Sequence, residues 1–140
     1  MMPTSRLADQ IALHNDSREI ARLDAWYRCL AEDWPLPAML VAEMRVCLHE
    51  AVTNIVMHGN GCRRIWVAAT LEDGEFALSV EDDGPPFDPL KISSGPLAAP
   101  LLDVAIGGLG MHLIRSFTDR LAYVRRQERN LLTMARTVDV

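Results

Sequence analysis

The stretch HEAVTNIVMHG carries Glu50, Asn54 and His58 at intervals of four. On a helix that spacing stacks all three on one face, a turn apart each. Glu43 stands seven residues upstream of Glu50. A carboxylate can take a proton or hold a polarised water. An asparagine carbonyl is a hard oxygen ligand suited to Mg2+, which needs few protein oxygens when phosphates supply the rest. On spacing alone, the same face also reads as a polar, solvated helix side.

Two further stretches point to a ligand. In FALSVEDDGPPFDPL, Phe76, Leu78 and Val80 share one strand face, and the period of two places Asp82 on it. Ala77, Ser79, Glu81 and Asp83 fall on the other face, where Asp83 is expected to be solvated. A carboxylate beside an apolar core needs a donor, either from the turn backbone or from a ligand. Gly84 allows a sharp turn and a close approach, and Pro85 and Pro86 end the ladder. In IGGLGMHLI, Gly107, Gly108 and Gly110 precede a helix. Backbone N–H groups at such a start make an anion site, although the same pattern serves as a hinge. The spacing is neither that of a dinucleotide fingerprint nor that of a P-loop. A Mg2+-nucleotide would use all of these groups together.

The surrounding elements follow from periodicity. RLADQIAL reads as a first strand, and NDSREIARLDAWYRCLAEDW as a helix opened by an Asp16–Glu19 capping box, with Ile20, Leu23, Trp26, Tyr27 and Leu30 inward. A second helix runs from about Pro37 to His58 on a stripe of Leu40, Met44, Cys47, Leu48, Ala51 and Ile55, with Gly59 as its cap. RRIWVAATL and FALSVED form a hairpin around EDGE. Residues 84–107, rich in proline, read as a long functional loop. A third helix follows, with Leu109, Leu113, Ile114 and Phe117 inward, and LAYVRRQ and NLLTMARTV close the chain as a hairpin around ERN. This order gives an α+β two-layer sandwich: a mixed, mostly antiparallel sheet with three helices on one face.

The 140 residues suit one domain, residues 1–140, and 49% hydrophobic with 24% charged residues is a globular balance. A net charge of −5 argues against a broad nucleic-acid surface. The cluster Arg125, Arg126 and Arg129 reads as a solvated hairpin edge. No run of 18 apolar residues spans a membrane, and the N-terminus lacks the parts of a secretory signal. Cys29, Cys47 and Cys62 form neither a CxxC pair nor a disulfide framework. They read as reduced thiols of a cytoplasmic protein, with Cys29 and Cys47 in the core.

EAVTNIVMHG, VEDDGPPFDP and GGLGMHLIRSFTDR resemble, in order, three boxes of the GHKL ATPase superfamily, which includes DNA gyrase B subunits and the ATP-binding domains of histidine kinases. The chain looks most like the stand-alone anti-sigma factor serine/threonine kinases of partner-switching systems, over about residues 5–138. The resemblance implies ATP and Mg2+ as cofactors. It implies a sigma factor, or a similar protein, and an anti-sigma antagonist as partners, and a homodimer. Glu50 would be the general base acting on a serine hydroxyl, and Asn54 would hold Mg2+. His58, Leu109 and Thr133 would line the nucleotide site, with the Thr133 hydroxyl near the adenine. Asp82 would accept from the adenine amino group, and Gly84 would admit the ring. Residues 89–106 would be the ATP lid, and Gly108 and Gly110 would let backbone N–H groups meet the phosphates.

Two positions depart from that family. Pro86 replaces a glycine common two residues after the first strand-end glycine. Ile106 stands where some kinases carry an arginine that reaches the terminal phosphate, so that contact must come from Lys91 or a partner. A non-catalytic nucleotide-dependent binding module of the same fold is therefore the alternative. A histidine-kinase ATP-binding domain lacks the helix pair it needs. A metal hydrolase using Asp82, Asp83, Asp88 and His58 lacks the HxH or HExxH spacing.

Overall fold

A computed structural model of the chain describes residues 6–58, 60–91 and 108–138. The elements run β1 (Leu7–His14), α1 (Ile20–Asp33), α2 (Ala38–His58), β2 (Arg64–Glu72), β3 (Glu75–Asp82), α3 (Gly108–Phe117), β4 (Arg120–Arg126) and β5 (Arg129–Thr137). Single 3-10 turns precede α1 (Ser17–Glu19) and follow β3 (Pro89–Lys91). The α+β sandwich expected from the sequence is the observed one. Its five described strands form one sheet in the order β1-β2-β3-β5-β4, and every pairing is antiparallel.

Alternation decides which sheet face is covered. Ile65, Val67 and Ala69 of β2, Phe76, Leu78 and Val80 of β3, and Met134 of β5 are at most 1% exposed. They join Leu23, Tyr27 and Leu30 of α1, Met44, Cys47, Leu48 and Val52 of α2, and Met111 and Ile114 of α3 in a single core. Trp34, just after α1, stands edge-on to Phe76 at 6.1 Å between ring centres. The α2 helix opens on Pro37, whose carbonyl accepts the Val41 N–H at 3.0 Å. Arg136 of β5 bonds Glu43 of α2 at 3.1 Å and the Phe117 carbonyl that ends α3 at 3.4 Å, clamping both helices to the sheet.

Several local expectations change. The capping box is half formed: Asp16 caps Arg18 N at 2.9 Å, but Glu19 Oε1 accepts from His14 N rather than from Asp16. Cys29 is exposed rather than in the core, because it lies off the Leu23–Tyr27–Leu30 stripe. The last hairpin turns at Gln127 and Glu128, both with positive φ (52° and 63°), not at ERN. The first hairpin uses Asp73 and Gly74 in the same way (52° and 73°), the geometry that matches strand twist in a two-residue turn. The proposed cap Gly59 and the lid beyond Lys91 lie outside the described residues.

Burial pushes the thiols of Cys47 and Cys62 up to about 12. At pH 8 a water-soluble disulfide reagent should therefore label Cys29 fast in the native protein. Cys47 and Cys62 should react only on unfolding, which a stopped-flow thiol count would check.

Candidate functional site

Beneath the segment that follows β3, α2 and the sheet enclose a small cavity of about 30 Å³. α2 gives it Ala51, Asn54 and Ile55, β3 gives Val80 and Asp82, and β5 gives Asn130 and Leu132. Tyr123 of β4, with Phe87 and Pro89 of the segment after β3, completes the lining. That volume holds about two waters.

Asp82 is only 7% exposed, at the end of the apolar β3 face. Its Oδ1 accepts from Gly84 N at 2.9 Å and from Asn130 Nδ2 at 3.0 Å. Its Oδ2 receives no hydrogen bond from the described residues. The turn backbone, one of the two donors open to this carboxylate, thus takes one oxygen, and the other is left without a donor among the described residues. A Cβ on Gly84 would stand 2.9 Å from Asp82 Oδ1 and 3.1 Å from Cys62 Cβ, so only glycine fits there. The Pro85–Pro86 turn is held from outside, by Arg125 Nη1 to Gly84 O at 2.7 Å and by Asn130 Nδ2 to Pro85 O at 2.9 Å.

Asn130 carries no signal in the sequence reading, yet it is 5% exposed and central. Its Oδ1 accepts from Tyr123 Oη at 2.5 Å and from Phe87 N at 3.2 Å. The register sets Asn130 against Asp82, whereas Thr133 faces Ser79 and Ala122. Thr133 therefore lies on the opposite sheet face and is not brought to the cavity, which corrects the expected adenine-side hydroxyl. Three residues separate the two positions, and an odd offset on a strand changes face.

The α2 residues divide as well. Asn54 is 7% exposed, and its Nδ2 is buried with no hydrogen-bond partner among the described residues. Glu50 lies against the first turn of α3: a Cβ on Gly110 would overlap Glu50 Oε2 and come within 3.1 Å of its Cδ. Gly108 opens α3, leaving its first N–H groups unbonded within the helix. His58 is exposed at the end of α2 and does not line the cavity. Gly107 and Ile106 lie outside the described residues. Asp88 caps Leu90 N at 2.9 Å, and Arg115 of α3 bonds the Leu90 carbonyl at 2.6 Å, so the root of the loop is fastened to α3.

Asp83 is not merely solvated. Its Oδ1 accepts from Arg63 N at 2.7 Å and Arg64 N at 3.0 Å, pinning the start of β2. Burial raises its pKa, but these backbone bonds outweigh burial and hold the carboxyl below its ordinary value.

A family model of the histidine kinase-like ATPase domain matches residues 13–136. The serine/threonine-protein kinase BtrW of Bordetella bronchiseptica is 35% identical over 100 residues, 69% of this chain and 70% of that protein. The anti-sigma F factor of Bacillus licheniformis is 27% identical over 85 residues, 59% of this chain and 58% of its own length. That of Clostridium novyi is 28% identical over 93 residues, 64% of each. The match therefore spans less than two thirds of these two anti-sigma factors.

Asp83 yields a pH prediction. With the folded pKa lowered, its contribution is complete above the ordinary value of 3.8 and is lost as pH falls through the folded one. Asp83→Asn should cost about 1 kcal/mol at pH 7 in urea melts, and the gap to wild type should close as pH falls below the ordinary value of 3.8.

Proposed function

The chain belongs to the histidine kinase-like ATPase domain family, and from that premise we propose that it is an ATP-dependent protein serine/threonine kinase of the anti-sigma type. It binds a sigma factor or a similar partner and phosphorylates an anti-sigma antagonist. The observation that carries this reading is the half-used Asp82 carboxylate in a cavity that also holds the unpartnered Asn54 amide. The names of the relatives, a serine/threonine-protein kinase and anti-sigma F factors, support the activity and the partner class.

Each residue has a task that its position allows. Asp82 Oδ2 accepts from the adenine amino group, and Gly84 leaves room for the ring. Phe87 and Pro89, which line the same cavity, flank the ring. The backbone at Gly108, Leu109 and Gly110 offers N–H donors and the positive end of α3 to the phosphates. Glu50, beside that helix start, takes the proton of the attacking serine hydroxyl as its oxygen bonds phosphorus and the bond to ADP breaks. Asn54 would hold Mg2+ through its side-chain oxygen, a hard ligand at a buried position of α2. Bound there with the phosphates, the ion supplies neutralising charge. The chain works in the cytoplasm as a homodimer, a reading that rests on the resemblance to partner-switching kinases.

A non-catalytic nucleotide-dependent switch is the second reading. Ile106, where kinases of this kind place an arginine for the terminal phosphate, favours it.

Labelled ATP, Mg2+ and the antagonist domain encoded nearest to this chain decide between the two. Transfer to a serine or threonine is expected, and Glu50→Ala should lower it about 100-fold or more with nucleotide affinity little changed. ATP binding without transfer to any antagonist would sink the kinase and leave the switch. In calorimetry, Asp82→Asn should weaken ATP binding about tenfold or more.

A further inference from the structure

We propose that Asn130 is the positioning residue for base recognition, and that it couples the base acceptor to the backbone of the Pro85–Phe87 turn. The inference rests on the nucleotide reading above. Asn130 has four hydrogen-bonding positions and uses all of them. Its two N–H donors go to Asp82 Oδ1 and Pro85 O, at 3.0 and 2.9 Å. Its oxygen accepts from Tyr123 Oη and Phe87 N, at 2.5 and 3.2 Å. Asp82 Oδ1 and Pro85 O can only accept and Phe87 N can only donate, so the amide orientation is fixed by chemistry, and Tyr123 Oη then donates to its oxygen.

This arrangement does two things. With Gly84 N it saturates Asp82 Oδ1, so the carboxylate cannot swing to satisfy both oxygens within the protein. Oδ2 is left as an acceptor in a cavity lined mostly by apolar side chains, where a base presenting an amino donor is favoured and one presenting a carbonyl is repelled. The same amide also holds Pro85 O and Phe87 N, the backbone on either side of Pro86. Phe87 lines the cavity. A shift of Phe87 is therefore felt at Asn130 Oδ1, on the same planar amide whose Nδ2 orients Asp82. Arg125 holds Gly84 O at 2.7 Å, so the start of the turn is fastened separately.

The test is the isosteric variant Asn130→Asp, measured for ATP and GTP affinity by calorimetry between pH 8 and pH 5.5. At pH 8 the introduced carboxylate faces Asp82 without a donor, and ATP binding should fall about tenfold or more relative to wild type. Two facing carboxylates share a proton more readily than one holds it, so the deficit should shrink severalfold by pH 5.5 as the donor returns. The preference for ATP over GTP should narrow at pH 8 and recover with it. Wild-type-like affinity at pH 8, or a loss that does not move with pH, would overturn the positioning role. Asn130→Thr covers the case in which the first variant does not fold: its hydroxyl can still donate to Asp82 but cannot hold Phe87. ATP affinity within about threefold of wild type with faster amide exchange at Phe87 supports the coupling, and unchanged exchange overturns it. If wild-type protein binds no nucleotide, the nucleotide reading itself fails and this inference with it. Wild-type binding with indifferent variants removes this inference alone.

Discussion

Asp82 continues an apolar strand face to the edge of the core, where a carboxylate loses water and must find donors. Among the described residues these are N–H groups, from Gly84 and Asn130. The rest of the site is arranged around that requirement. Gly84 must be glycine because its backbone closes on the carboxylate it serves. Asn130 must sit at one rung of the β3–β5 ladder, and Tyr123 and Arg125 of β4 must lie beside it. A sheet whose central strands are β3 and β5 is the element that can hold all of these at once.

The helix α2 answers a different demand on each turn. Its apolar residues fill the core, while its polar ones are sorted by what they meet. Glu43 finds Arg136 and becomes a strut between layers. Asn54 is drawn into the cavity with its amide uncommitted, Glu50 meets the glycine turn that opens α3, and His58 ends in solvent. Equal spacing along a helix does not give equal surroundings, because the helix crosses the sheet and the third helix at different depths.

Much of this was legible in the residues. Alternation in β2 and β3 named the covered face, and the period of two placed Asp82 on it. The helical stripe of α2 named Met44, Cys47 and Leu48. Three things were hidden, each for a physical reason. Cys29 looked like a core thiol by type, but type does not choose a helix face. Asp83 looked idle because its partners, Arg63 N and Arg64 N, are backbone groups some twenty residues away. Asn130 was hidden by the last turn. Positive φ usually announces itself through glycine or asparagine, and here Gln127 and Glu128 adopt it. Placing the turn at ERN put Asn130 inside it and turned attention to Thr133.

That glycine-free turn also governs how the chain can change over generations. Left-handed backbone costs an ordinary side chain about 1 kcal/mol per residue, so substitutions at Gln127 and Glu128 are cheap and many will improve the turn. Length is another matter. One codon gained or lost between β4 and β5 would change the turn type and the pairing of the edge strand β4, since the buried face of β5 holds its register against β3. The hairpin tip can drift freely in composition, and a change in its length falls on β4, where Tyr123 and Arg125 sit, rather than on the rung that faces Asp82.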